Sequence, residues 1–434
     1  MKQAVVGILL AVASAGAHAA LDIQHWTTAN GARVYFVETH QIPMVQYAVG
    51  FDAAGARDPE DRHGLASLVN TLMDDGAGGM DEETVAEKLA AVGARYSSQS
   101  ARDMSTLELK VLSEGSYLEP AVDVFAQIIA RPDFPADALE RERRRTLVGI
   151  EQARQSARDV AQRVFYAELF AGHPYGHMPE GDEQSVKKIT RADLISFHER
   201  YYTGANAVVA IVGDLSRARA EETAEKIVGL LPEGDPAPPL APVAGREKSA
   251  RVEEPFPSQQ SHLLLGQPGI TRDDPDYFPL YVGNHILGGS GLISRLSVQI
   301  REERGLAYSV YSYFVPMQRR GPYMLGLQTK NEQADNARKI VIETVGRFID
   351  EGPAADELEA ARNNITGGFP LRLDSNEEIA GNLLNIAYYG LPLDYLDTYP
   401  EKVSAVTIEE IRDAFRRRID PQQWVQVRVG PADE

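Results

Sequence analysis

The chain contains no cysteine. Disulfides, thiolate metal centres and a cysteine nucleophile are thereby excluded. It has no run of the roughly 18 apolar residues that a membrane-crossing helix needs, so no such span is expected. Bases are in deficit: 44 Lys and Arg stand against 63 Asp and Glu, a formal charge of −19. A surface of that sign repels phosphate backbones, which disfavours nucleic acid and suits a basic peptide or basic protein surface. Such a balance also serves plain solubility. The G-x-S-x-G of serine hydrolases is missing, and Ser67 has no histidine at a recognisable spacing.

What is present begins with an export signal. Lys2 supplies the positive start, residues 4–13 a short apolar core, and Ala17-His18-Ala19 a small-x-small cleavage site. Cleavage is expected after Ala19, giving a mature chain without a membrane span, with the bacterial periplasm as the best fit.

At about 150 residues per domain, 434 residues make two to four domains. Residues 232–257 carry seven prolines with little apolar periodicity and read as a linker. The flanking segments repeat each other. Residues 189–213 match 406–430 without a gap, at an offset of 217 (407 − 190 = 430 − 213 = 217). Each copy reads β-branched residue, Thr cap, acid in the first turn, helix, strand, Gly. Upstream, Ala138-Leu139-Glu140 and Arg143 match Glu357-Leu358-Glu359 and Arg362 at an offset of 219 (362 − 143). The expected fold is therefore α+β: two homologous domains, 20–231 and 258–434, each a mostly antiparallel sheet flanked by helices. Together they would form a clamshell cleft, a common place for a site. Within the first copy a single long helix is predicted over 135–170, and a polar strand, RYSSQS, over 95–100.

One stretch is dense in candidate chemistry. LSVQIREERGLAYSVYSY, residues 296–313, reads as a helix end, a glycine stop and a strand. It sets Arg301 and Tyr308 seven residues apart (308 − 301), on adjoining rigid elements. A guanidinium and a phenol so held can grip a peptide carbonyl or an oxyanion. The plainer alternative makes Arg301 a solvated helix-end cation and Tyr308 a core residue. His173 and His177 stand four apart, but Pro174 and Gly176 between them predict a loop rather than a metal-binding helix. His63 is expected at the surface. Gly288, Gly289 and Gly291 lack the following G-K-[ST] of a phosphate loop.

The segment DRHGLASLVNTLMDDG resembles the pitrilysin–insulinase family of zinc peptidases, whose first domain carries R-x-G-L-A-H-x-x-E-H. Gly64-Leu65-Ala66 and Leu72-Met73 keep the frame. The two zinc-binding histidines and the general-base glutamate of that motif fall on Ser67, Thr71 and Asn70, none of which can do their work. The family's third ligand, a glutamate further on, finds its best match at Glu151 in Leu147-Val148-Gly149-Ile150-Glu151. Gly172-His173-Pro174-Tyr175-Gly176 and the second-domain stretch from Leu287-Gly288-Gly289 to Tyr308 also follow the family, so the likeness spans nearly the whole mature chain. It implies that Arg301 and Tyr308 hold the scissile peptide, that Ser97, Ser98 and Gln99 lie on the edge strand to which substrate adds, and that Gly288 and Gly289 lie near the substrate path. It further implies a chain that binds no metal itself and pairs with a homologous subunit carrying Zn²⁺. The alternative implied by the same family is a non-catalytic structural or peptide-binding core protein.

Overall fold

A computed structural model describes residues 21–432. The export signal read at 1–19 lies outside the described residues. The first half runs through β1 (Gln24–Thr27), β2 (Arg33–Glu38), β3 (Met44–Phe51), α1 (Leu65–Leu72), the short β4 (Gly76–Ala77) and β5 (Met80–Asp81), α2 (Glu82–Ala91), β6 (Arg95–Ser100) and β7 (Ser105–Leu112). It continues with α3 (Gly115–Ala130), α4 (Ala136–Arg154), α5 (Ala157–Leu169), α6 (Glu183–Lys188), α7 (Arg191–Tyr201), β8 (Ala207–Gly213) and α8 (Arg217–Val228). The second half contains β9 (Ala250–Pro255), β10 (Gln260–Pro268), α9 (Tyr277–Asn284), α10 (Arg295–Ser297), β11 (Ala307–Phe314) and β12 (Pro322–Lys330). It ends with α11 (Ala334–Glu351), α12 (Ala355–Gly368), α13 (Asn376–Tyr389), α14 (Tyr395–Ala405), α15 (Ile408–Arg418) and β13 (Val425–Gly430).

The strand orders are β1-β2-β8-β3-β7-β6 and β11-β12-β10-β13-β9. Read from β6 and from β11, the two sheets have one topology, with β1 as an addition to the first. Each holds one parallel pair, β2 with β8 and β9 with β13, among antiparallel neighbours. The fold is α+β and duplicated, as expected. The repeated residues do the same work in both halves. Thr190 and Thr407 each cap a helix in a capping box, closed by Asp193 and Glu410. Arg143 donates to the carbonyl of Ile189 (2.6 Å), and Arg362 to that of Val406, just before each cap.

Two boundaries differ from expectation. The proline-rich stretch 232–257 is not all linker, because its last part is β9, paired with β13 from Val425↔Ala250 to Gly430↔Pro255. Its alternating half-exposed ARVEEP pattern hid it; the parallel ladder, not apolar content, holds it. The single helix predicted over 135–170 is two, α4 and α5. Gln155 ends the first and the Ser156 side chain caps the second.

That break redirects the chain across the molecule. α5 leaves its own half and buries Val160, Phe165 and Leu169 against Leu264, Met324, Val425, Val427 and Val429 of the second sheet. Its counterpart α13 buries Ile379, Leu383 and Leu384 against Val37, Ala48, Val208, Ala210 and Val212 of the first. Each sheet thus has its own helices on one face and a helix from the other half on the opposite face. This explains why β8 is buried at all seven positions and reads as a continuous apolar run. At about 1.5–3 kcal/mol per large side chain, separating the halves at these helices costs on the order of ten kcal/mol or more. That matches the whole stability of an ordinary domain, about 5–15 kcal/mol, so the halves behave as one unit.

Polar groups seal the junction. Asp103, in the β6–β7 turn, is only 4% exposed. Its carboxylate accepts from Tyr175 Oη (2.5 Å) and from Gln318 N (2.7 Å), and its carbonyl from Tyr388 Oη (2.7 Å). Nearby, the buried Asp52 takes both arms of Arg57 and the Gln318 side chain. Residues from both halves therefore share two carboxylates. Asp103→Ala orphans the Tyr175 hydroxyl and the Gln318 N–H while keeping the main-chain carbonyl that takes Tyr388 Oη, and is expected to cost about 2–4 kcal/mol. A urea midpoint unchanged from the parent would show that the hub is dispensable.

Candidate functional site

α1 starts at Gly64, which sits at φ +95. The carboxylate of Asp58 caps the helix, accepting from Gly64 N (2.7 Å) and Ala66 N (2.8 Å). Along α1, Ser67 is half-buried, Asn70 is 2% exposed and Thr71 is exposed. Asn70 donates to the Thr106 carbonyl (3.3 Å), and its own carbonyl accepts from Ser98 Oγ (3.5 Å). The helix end is thus tied to β6 and β7. Two hydroxyls and a carboxamide already engaged with backbone offer no imidazole and no base, so these three positions do not fit a zinc ion. Glu151 is exposed and ion-paired with Arg154 (3.4 Å), with no contact to the three. Among the described residues no group of three His, Asp or Glu could hold a metal.

β6 is an edge strand, as the placement of Ser97, Ser98 and Gln99 requires. Ser97 and Gln99 are exposed, while Ser98 turns toward α1.

Arg301 and Tyr308 are brought together. Arg301 lies in a π-helical turn, Val298–Glu302, that follows α10. Gly305 at φ +60 reverses the chain, a conformation that L side chains rarely adopt. The ladder between β11 and β12 then breaks between Ala307 and Val310, a bulge that lets both Tyr308 and Ser309 face solvent. Tyr308 is 83% exposed, so it is not a core residue. The Arg301 guanidinium stacks over its ring at 4.8 Å, and no acid pairs with it among the described residues. An exposed stack of this kind is worth only about 0.5–1 kcal/mol. A charge-assisted hydrogen bond from the guanidinium to a ligand oxygen, at about 1.5–3 kcal/mol, would outweigh it. No hydrogen bond, ion pair or ring contact joins this pair to Ser67, Asn70 or Thr71 within the chain.

Gly288 and Gly289 belong to a second π-helical turn, His285–Gly289. A Cβ at Gly288 would collide with Ser312 of β11, so the turn packs directly on the strand. Both glycines line a cavity of 460 Å³.

The loop expected at His173 and His177 is present, whereas His63 differs from expectation. His173 and His177 flank a 3₁₀ turn and do not converge. His173 Nε2 donates to the Ala241 carbonyl (3.0 Å), and His177 Nε2 lies 2.9 Å from the Gly55 carbonyl and 3.3 Å from Asp58 Oδ2. His63 is not a free surface residue. It stacks on His177 at 3.9 Å with the rings 2° from coplanar, because the Asp58-capped helix start presses it against that loop. Asp58 and Asp103 were missed from sequence; both are single acids in loops, without periodicity or motif to mark them.

Other proteins share this architecture. Residues 33–182 match the family model for insulinase, peptidase family M16, and residues 188–365 match the model for the peptidase M16 inactive domain. A crystal structure described as peptidase M16 inactive domain, from Pseudomonas fluorescens, superposes with a TM-score of 0.92 at 36% identity, covering 95% of this chain and 98% of that one. The non-peptidase homolog YmxG of Helicobacter pylori is 27% identical over 427 residues, 96% of this chain and 95% of that protein. An uncharacterized zinc protease, YmxG of Bacillus subtilis, is 23% identical over 411 residues, 94% of this chain and 98% of that protein.

Burial and the facing His177 hold the His63 imidazole below its ordinary 6.5, although Asp58 pulls the other way. The unfolded chain therefore takes up the proton first as pH falls. Stability contributed here is present above about pH 6.5 and lost as pH drops toward the folded value. Urea midpoints measured from pH 7.5 down to 5 should fall, and His63→Gln should flatten that slope. An unchanged slope would remove His63 from the account.

Proposed function

The chain belongs to the insulinase family, peptidase family M16, and from that premise we propose that it is the non-zinc subunit of a two-chain peptidase. Taken alone it is a non-catalytic chain of that fold. The observation that carries the reading is a contrast within one molecule. The α1 positions are chemically silent, whereas the half-buried Arg301 stacks on the exposed Tyr308 and has no acid partner among the described residues.

In this reading a homologous partner supplies the Zn²⁺ and the base that activate water. Arg301 offers a fixed fork of N–H donors to the peptide carbonyl next to the scissile bond. Tyr308, lifted out by the bulge, donates its hydroxyl to the oxygen on which negative charge develops. The substrate is a short unfolded peptide, extended enough to lie along a sheet edge. The export signal read at residues 1–19 supports a periplasmic location for the pair.

The second reading, a peptide-binding or structural protein without catalysis, is favoured by the Helicobacter pylori relative's description as a non-peptidase homolog. One experiment separates the two. Cleavage of an unstructured fluorogenic peptide is followed with the chain alone, with the zinc-motif homologue from the same source, and with both. Zinc content is measured on the same samples. The chain alone should be inert and metal-free, and the mixture should exceed the homologue alone. Arg301→Ala and Tyr308→Phe should each lower kcat in the mixture by on the order of 10²-fold. A mixture no faster than the homologue, or one indifferent to both substitutions, leaves the second reading.

A further inference from the structure

α5 does not cover the whole of the sheet face that it crosses. Beside its first turns a hollow of 320 Å³ remains, lined by Arg158 and Gln162 of the helix, His262 of β10, Gln328 of β12, and Ser309 and Tyr311 of β11. Its size falls in the range of about 300–1,000 Å³ typical of ligand pockets. It adjoins the Arg301–Tyr308 pair, because Ser309 directly follows Tyr308 in the bulge.

In a chain with 63 acidic residues, the wall of this hollow contains no Asp or Glu. Arg158 is exposed and makes no hydrogen bond or ion pair among the described residues. His262 is half-buried and has no hydrogen-bond partner either; the acid that acts on it, Asp159, is not part of the wall. Burial and the facing Arg158 hold the His262 imidazole below its ordinary 6.5. At neutral pH it therefore offers a neutral N–H donor beside one fixed cation. The N-terminal end of α5 adds the positive end of the helix dipole.

The duplication supplies an internal comparison. Ser375 caps α13 as Ser156 caps α5, so Glu377 stands where Arg158 stands (377 − 375 = 158 − 156). Glu377 reaches Lys110 of β7 at 3.7 Å, on the strand that corresponds to β12. The fold accepts either sign at this helix position, and of the two only Arg158 lacks a counter-charge. Its charge is therefore not required for folding and is open to a ligand.

We propose that this hollow is a specificity pocket of the Arg301–Tyr308 site and takes the carboxylate side chain of an Asp or Glu close to the residue that the pair holds. Arg158 meets the carboxylate, and His262 and Gln162 donate N–H groups to it. The Tyr311 ring, which lies across Gly326 of β12, packs on the methylenes of the side chain. The overall negative charge of the chain works against acidic peptides in general, so a preference for one carboxylate at one place comes from this local cation. The neighbouring Arg301 and Tyr308 select a peptide over a small acid, which would reach the hollow alone. The assignment rests on the two-chain reading for its peptide, but the binding preference needs neither zinc nor a partner.

The test is fluorescence anisotropy of end-labelled, otherwise neutral octapeptides with Glu, Gln or Lys at the fourth position, titrated with the full exported chain at low salt. The Glu peptide is expected to bind about fivefold more tightly than the Gln peptide, the upper range for a partly exposed charge pair, and the Lys peptide more weakly than both. Arg158→Gln should erase most of that preference and His262→Gln part of it. Arg158→Glu should place the Lys peptide above the Glu peptide. Added salt should shrink the preference. The proposal is overturned if the Glu and Gln peptides bind alike, if neither substitution at Arg158 changes their ratio, or if no peptide binds. Glutarate competing as well as the Glu peptide would make this a small-acid site and overturn it equally. Failure of the two-chain reading looks different: the Glu preference persists in the chain alone, while the mixture with the zinc-motif homologue cleaves no faster than the homologue. Cleavage by the mixture without a Glu preference in binding overturns the pocket and leaves that reading in place.

Discussion

The exchange of α5 and α13 between the two halves is the constraint on which the rest depends. Each helix covers the face of the sheet that its own half leaves bare, so neither sheet is complete without the other. With both faces of both sheets largely covered, the places left for an extended ligand are the strand edges. Two edges matter, β6 beside α1 and β11 beside the π-helical turns. Every candidate for peptide contact in this chain lies on or next to one of them. The Asp103 hub acts in the same sense. It anchors the turn leading out of β6 to Gln318, which follows β11, and to Tyr388 in the exchanged helix. The two edges are thereby held in a fixed relation.

This arrangement also explains how catalytic positions can change without loss of the fold. The frame of α1 rests on groups other than the chemical ones: Asp58 caps its start, and Leu65, Leu68, Val69 and Leu72 fill the core. Asn70 sits at 2% exposure, where an ionised glutamate without a metal beside it would be a buried, uncompensated charge. A neutral carboxamide that donates to the Thr106 carbonyl removes that cost and keeps the helix tied to the sheet. Asn70 therefore holds this buried position without any counter-charge.

What could be read from the sequence was local and repeated. The Thr caps announced themselves through their acids three residues on, and the Arg143–Arg362 correspondence through its spacing. The family likeness then picked out Arg301 and Tyr308, and the structure places them in one stack. Features decided by distant contacts stayed hidden. The end of α4 at Gln155 has no glycine or proline to mark it, and only the remote sheet explains why the chain turns. β9 is a strand because β13 lies beside it, not because its sequence favours one. The 320 Å³ hollow draws on residues from 158 to 328, each ordinary alone. Arg158 and His262 carried no motif, and their approach is visible only in three dimensions.

The geometry of β11 decides how Tyr308 is presented. Its bulge at Tyr308 and Ser309 interrupts the ladder at one end, while from Val310 to Phe314 the pairing with β12 is regular. A bulge re-aims side chains and ends pairing, so the strand divides into a segment that presents a phenol and a segment whose outer edge is covered, with Asn284 donating to the Ser312 carbonyl (2.8 Å) and the turn at Gly288 packed on the same residue. Arg301, stacked on Tyr308 by an interaction worth only about 0.5–1 kcal/mol, stays available for a ligand carbonyl. If the register of Val310 to Phe314 continued back through the strand, Tyr308 would alternate into the sheet face and lose its exposure. The extra residue in the strand therefore keeps Tyr308 at the surface while the regular part of the eight-residue element stays packed. It also relieves the edge-strand hazard, because a partner chain cannot pair along its whole length.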